Sequence, residues 1–338
     1  MFGFIATDYD KKVYQEQLKD FLPDHFIDLH AHLWKKEFEP WGASNGGATW
    51  IDRVAEDLTI EDLVQTYKDL FPGKTVTPNI FGGITQNLKQ CNDYVLESAK
   101  KYQYPHMYRL AYDTPVEIME KEIIEGGFVG IKPYLSSKPD YIPNSEIRIF
   151  DFMPKEQFEV ANRLGLVVLL HIPRSARLKD PVNIGELMEI EEKYPNVKLV
   201  VAHIGRAYSK EDMGDAFETL KHSKNMMFDF CANTCDYAIE KCLEYVGPDR
   251  LLFGSDMPIT KMRMYRIVEN GEYINVVPKG LYGDVSNDPR MRETDEKDIT
   301  CFIYEELLAF KRVSEKLGLS KDDVNQIMCK NAERILGL

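Results

Sequence analysis

FIDLHAHLW, residues 26–34, reads as a short apolar strand that closes on two histidines, His30 and His32. Side chains two apart on a regular strand share a face, so both imidazoles can meet one ion. Taken alone, a His-x-His pair is equally well a polar cluster. Its meaning depends on what else reaches the same place.

Working outward from it, seven more short apolar segments lie near 74–80, 106–111, 127–132, 165–171, 197–203, 225–230 and 250–255. Helix-like stretches fall between them at 57–70, 87–102, 115–126, 154–165, 183–195, 212–223 and 236–247. Strand-then-helix repeats with no dividing linker predict an α/β fold, a (β/α)8 TIM barrel occupying residues 1–338 as one domain. An open doubly wound sheet shows the same alternation. However, no GxGxxG opens a helix after the first strand, and there is no Walker A sequence. Two segments exceed the repeat. Residues 33–50 carry Trp34, Trp41 and Trp50 among glycines and read as a lid over substrate or as a packing loop. The polar extra segment 260–297 walls the other side of the pocket or meets a second subunit, and helices near 298–317 and 320–336 close the chain.

The bulk composition excludes several classes. With 44% hydrophobic and 29% charged residues the 338-residue chain is an ordinary globular protein. A net charge of −13 argues against nucleic acid and anionic membranes as partners, while leaving room for a local basic pocket. The six cysteines form no CxxC pair and are too sparse for a disulfide framework, which fits reduced thiols in a cytoplasmic protein. The first residues lack the pattern of a secretory signal, and no apolar run is long enough for a membrane span.

Chemistry concentrates where the strands end. His171 follows LGLVVLL, His203 follows VKLVVA, and Asp256 follows RLLFGS. Barrel geometry brings strand ends distant in sequence to one mouth, so His30, His32, His171, His203 and Asp256 form a candidate set. Imidazole nitrogens with one carboxylate suit zinc first, with manganese, iron, cobalt and nickel admissible; no organic cofactor is expected. Lys132, in GFVGIKPYL, either pairs with an acid, binds a substrate carboxylate, or becomes carboxylated and bridges a second metal. Arg109, Arg174 and Arg206 lie near strand exits and are candidates to hold a carboxylate-bearing small substrate, with Arg177 competing with Arg174. Asp28 and Asp229 read as supports for the histidines; His25, His106 and His222 read as peripheral.

At these residues the sequence resembles the amidohydrolase superfamily, in the amidohydrolase-related branch that contains aminocarboxymuconate semialdehyde decarboxylase and related metal-dependent hydrolases. The resemblance runs through FIDLHAHLW, GFVGIKPY at 127–134, VVLLHIPRS at 167–175, VVAHIGR at 200–206, LLFGSDMP at 251–258 and NAERILGL at 331–338. It implies a TIM barrel of the metal-dependent hydrolase type, with one divalent ion held by His30, His32, His171 and Asp256. It also implies catalytic roles for Asp256 and His203, and homodimerisation. A binuclear form would add Lys132 and His203 to the ligands. Hydrolysis of an amide, ester or lactone is the favoured reaction. Non-oxidative decarboxylation of an aromatic or unsaturated acid is the alternative, and a barrel that binds without turnover comes after both.

Overall fold

The computed structural model describes residues 6–38, 53–85 and 87–338. Eight parallel strands run in sequence order: β1 (His25–Leu33), β2 (Thr75–Gly82), β3 (Met107–Arg109), β4 (Gly130–Lys132), β5 (Val167–Leu170), β6 (Lys198–Val201), β7 (Met227–Asp229) and β8 (Leu251–Leu252). β3 to β8 form one continuous ladder and β1 pairs with β2. Two junctions close the ring. Ile80 bridges His106 between β2 and β3, and Ala31 bridges Met257 between β8 and β1. The fold is therefore a (β/α)8 barrel, with each strand within a few residues of its expected place.

Two apolar layers hold it. Inside the barrel Ile27, Leu29, Phe81, Met107, Val167, Leu169, Val200, Met227 and Leu252 pack together, and Ala332, Ile335 and Leu336 of the last helix (Asn331–Leu336) seal them from below. Alternate residues of the same strands, such as Val168, Leu170, Val201 and Phe228, face outward against the helices. The helices start where their sequences say they should. Thr59 caps Ile60–Leu70 with Asp62 in a reciprocal box, and Asp180 caps Pro181–Lys193 ahead of a proline at the first position.

Several features depart from expectation. The helix expected at 212–223 is two pieces, Lys210–Met213 and Ala216–Leu220, split at Gly214 with φ +53°. A helix at Asp8–Val13 precedes the barrel; its Asp10 binds Arg263 and Thr300 and so ties the chain's beginning to the segment after β8. The stretch 260–297 is not an irregular loop. It carries a second sheet of β9 (Tyr265–Glu269), β10 (Glu272–Pro278) and β11 (Met291–Thr294), with β10 central. Asn270 and Gly271, both with positive φ, make the tight β9–β10 hairpin. Of the 33–50 loop, Trp34 is buried and donates its indole N–H to the Ala55 carbonyl. Trp41, Trp50 and the rest of the expected lid lie outside the described residues. Among the described residues no helix is long and apolar enough to cross a membrane.

Candidate metal centre and active site

A regular β1 could not deliver its histidines to the barrel axis. Ile27 and Leu29 already face inward, and strict alternation would then turn His30 and His32 toward the helices. The strand instead carries a bulge: Asp28 pairs with Pro78 and Ala31 with Ile80, so two residues of β1 stand opposite Asn79 alone. Beyond it Ala31 and Leu33 face the outer layer and His32 faces in. The backbone groups released by the bulge are satisfied by side chains. Asp28 Oδ1 accepts from the amides of His30 (3.0 Å) and Ser255 (2.8 Å), and Asn79 donates to the Leu29 carbonyl (2.9 Å). Asp28 thus acts on the backbone of the site.

The other strand exits are also irregular. His203, Ile204, Gly205 and Arg206 all have positive φ, between 48° and 60°, a left-handed turn costly for three of the four. The His203 amide donates to Asp229, and Asn233 donates to the carbonyls of His203 and Ala207. Gly205 suits this turn, since a Cβ there would meet Leu178 at 2.4 Å. Asp256 has φ 58°, and its amide donates to the His30 carbonyl at 2.8 Å. The same bond ties the β8 exit to the bulged strand and sets the carboxylate beside both histidines of β1. Gly254 permits the approach, because a Cβ there would stand 2.6 Å from the His30 Cβ.

The result is one buried cluster. His30 donates from Nδ1 to Asp229 Oδ2 (3.0 Å), which leaves its Nε2 bare, 3.3 Å from Lys132 Nζ and 3.6 Å from Asp256 Oδ1. His32 Nε2 lies 2.9 Å from Asp256 Oδ1, and its Nδ1 meets the Tyr134 hydroxyl at 2.8 Å. His203 Nδ1 donates to the Cys231 carbonyl (2.8 Å), so its Nε2 faces His171 Nε2 at 2.7 Å. With His203 neutral, the proton between them belongs to His171.

Burial is the first cause of the low proton affinity of all four imidazoles, with the nearby Lys132 adding to it; His203 is drawn down to about 4. They are neutral donors at pH 7. Burial alone would raise Asp256, but the hydrogen bond from His32 and the charges around it outweigh that and hold the carboxyl below its usual range. Burial likewise lowers Lys132 and raises Asp229, each acting against the other's charge. The donor set fits a divalent ion: ligand atoms of His30, His203, Cys231 and Asp256 all lie within 4.8 Å of one another. The rings of His32 and His171 stand 5.3 and 5.9 Å from that of His30.

The profile of a family described as Amidohydrolase matches residues 27–338, nearly the whole chain and every residue of this cluster. The chain belongs to the amidohydrolase family. Solved structures agree on the fold. A 2,6-dihydroxybenzoate decarboxylase from Rhizobium is 14% identical with a TM-score of 0.58, over 94% of this chain and 99% of that one. A probable 2-pyrone-4,6-dicarboxylic acid hydrolase from Acinetobacter baumannii, with citric acid bound, is 14% identical at 0.56 over 93% and 99%. A 4-oxalomesaconate hydratase from Rhodopseudomonas palustris is 18% identical at 0.55 over 92% and 95%. No curated protein sequence matches.

In this amidohydrolase the arginines singled out from the sequence have distinct surroundings. Arg109 is 1% exposed; it donates to the carbonyls of Gly83, Leu110 and Lys132 and lies 4.1 Å from the Tyr134 ring, so it braces the β2–β4 exits. Arg174 binds Asp180 at 3.0 Å, and Arg177 is buried against Asp212. Arg206 donates to the carbonyls of Ile172 and Pro173, directly after His171. Sequence reasoning missed Tyr134, Cys231, Tyr208 and Arg266 at the mouth. Tyr134 lies in a quoted motif two residues after Lys132, where a strand exit could have flagged it. Arg266 sits on an added strand with no signal tying it to the barrel.

Proposed function

We propose that this amidohydrolase hydrolyses an amide, ester or lactone bond of a small carboxylate-bearing substrate, with a divalent ion, zinc by its donor set, held by His30, His32, His171 and Asp256. The carrying observation is the pairing of an ionised Asp256 with neutral imidazoles at 2.9 and 3.6 Å. Such an ion, when bound, polarises the electrophile and lowers the pKa of water. Asp256 accepts the proton of the attacking water and returns it to the leaving group. His203, fixed by the Cys231 carbonyl, turns the unprotonated Nε2 into the pocket, where it accepts a hydrogen bond from the attacking water and orients it. Asp229 holds the His30 ring through Nδ1. Arg206 offers a carboxylate its remaining N–H groups, with Arg174 engaged by Asp180.

Lys132 supports a binuclear form. Its fully buried amine, drawn down by burial to about 8, reaches the neutral form that carboxylation requires more readily than an ordinary lysine, and its Nζ already stands against His30. His203 would then join it in holding the second ion. Lys132 also favours the alternative reading, non-oxidative decarboxylation, in which its ammonium would protonate the carbon that loses carbon dioxide. A homodimer in the cytoplasm completes the proposal, supported by the family resemblance and by six cysteines that are all free.

Turnover in 18O-labelled water separates the two reactions. Hydrolysis places one labelled oxygen in the acid product and releases no carbon dioxide. Carbon dioxide release without label in the organic product would replace hydrolysis by decarboxylation.

A further inference from the structure

The added sheet brings to the mouth a cation that the barrel does not supply. Arg266, on β9, has its guanidinium carbon 4.6 Å from the Tyr208 ring, 4.7 Å from Tyr273 and 4.7 Å from Phe302. Nε donates to Asn275 Oδ1 at 3.0 Å and a terminal nitrogen to the Ala232 carbonyl at 2.9 Å. Every one of these neighbours is neutral, and among the described residues no carboxylate pairs with Arg266. Other arginines near this face are matched: Arg174 with Asp180, Arg177 with Asp212, Arg292 with Glu269. Arg206 shares the condition of Arg266, held by two carbonyls only.

Tyr208 connects the two arginines to the reacting centre. Its ring centroid is 6.2 Å from that of His203, and its hydroxyl has no hydrogen-bond partner among the described residues. The Tyr208 amide donates to the Arg206 carbonyl at 3.0 Å, which sets the two residues side by side, and the charges of Arg206 and Arg266 both act on the hydroxyl. Ala232, which holds Arg266, follows the Cys231 whose carbonyl fixes His203. Arg266 and Arg206 are half-buried, and for a cation partly withdrawn from water without a counter-charge aromatic faces offset only part of the cost. In a chain of net charge −13 with acids available, two unmatched guanidiniums beside one free hydroxyl describe a place left for an anion.

We infer that Arg266, Tyr208 and Arg206 form a subsite for a carboxylate of the substrate other than any at the reacting bond. The sheet β9–β11 is then the specificity element of the enzyme, and the substrate class is a small diacid or a carboxylated ester or lactone with a second charged end. The reading rests on the proposed site, since His203 is its inner neighbour. Arg177 is a positioning residue: paired to Asp212, it lies 5.4 and 4.8 Å from the Tyr208 and Tyr273 rings and backs the stack.

Binding of two probes to the zinc-loaded full chain, isophthalate and benzoate, tests this by calorimetry with no need for turnover. The wild type should bind isophthalate roughly tenfold or more tighter than benzoate, the scale of one charge-assisted contact. Arg266→Gln should erase that advantage, and Arg266→Lys should restore only part of it. Tyr208→Phe, which removes one hydroxyl and leaves the packing in place, should shrink it about threefold. Equal affinity of the wild type for both probes, or an undiminished advantage in Arg266→Gln and Tyr208→Phe, overturns the subsite. Because binding alone is read, a decarboxylating enzyme would give the same result, and the failure of hydrolysis would show in the labelled-water experiment instead.

Discussion

At the floor of the barrel Ile27, Leu29, Val167, Leu169 and Val200 face one another above Ile335 and Leu336; at the mouth the same strands present His30, His32, Lys132, His171, His203 and Asp256. Regular alternation builds the floor. The mouth is built from departures from it: a bulge at Asp28–Ala31, a left-handed turn at 203–206, and Asp256 at φ 58°. The apolar end supplies cohesion. The irregular end collects polar groups and depends on the floor to hold strained backbone in place. Substitutions at the two ends should therefore fail in different ways.

The sharpest separation is Asp256→Asn. It should lower kcat/KM by about 10³-fold or more, as loss of a general base does, while leaving the melting temperature nearly unchanged. Activity within a few-fold of wild type in steady-state assays would remove Asp256 from the chemistry. At the floor, Leu169→Ala should cost about 2–5 kcal/mol in urea unfolding and leave kcat of the folded fraction intact. A floor variant that lost activity at full stability would erase the distinction between the two ends.

Acid probes the mouth in the metal-free protein. His203 is neutral in the fold, with its pKa drawn from 6.5 to about 4, so below pH 6.5 the unfolded chain takes up a proton that the folded chain refuses. Its stabilising contribution is full above pH 6.5 and is lost as pH falls through 4. The loss is about 3 kcal/mol for this group, read by urea unfolding at a series of pH values. His203→Gln should make that profile shallower, with His30, His32 and His171 keeping the rest of the slope, and an unaltered slope would mean that His203 is not buried neutral. The smallest effect belongs to the bulge. Asp28→Ala leaves the amides of His30 and Ser255 without their acceptor and should cost about 1–3 kcal/mol. It should also weaken zinc binding in a competition titration, by misplacing His30; unchanged zinc affinity would make the bulge irrelevant to the site.

Floor and mouth also differ in how far the sequence discloses them. Apolar runs mark all eight strands, because a barrel strand is buried on both faces, and the residue after each run names His171, His203 and Asp256. The manner of their convergence is not legible. Two-residue spacing suggests that His30 and His32 share a face of a regular strand, whereas a bulge set by Asp28, Asn79 and the β8 exit turns them inward, and the last two lie 50 and more residues away. Asn270-Gly271 is a readable hairpin signal inside 260–297, masked by the charged residues around it. Arg266 cannot be assigned to the mouth without that hairpin. Cys231 is hidden for a different reason: burial keeps its thiol protonated, and its service to His203 comes from its carbonyl.

The central claim is that the polar mouth holds a divalent ion used for hydrolysis. Elemental analysis of the purified full chain, paired with turnover of an ester and lactone panel before chelation, after chelation and after zinc is restored, tests it most directly. The account predicts about one ion per chain, or two with carboxylated Lys132, activity that falls and returns with the metal, and neither metal nor activity in His30→Ala. Undiminished turnover by a chain stripped of divalent metal would contradict it.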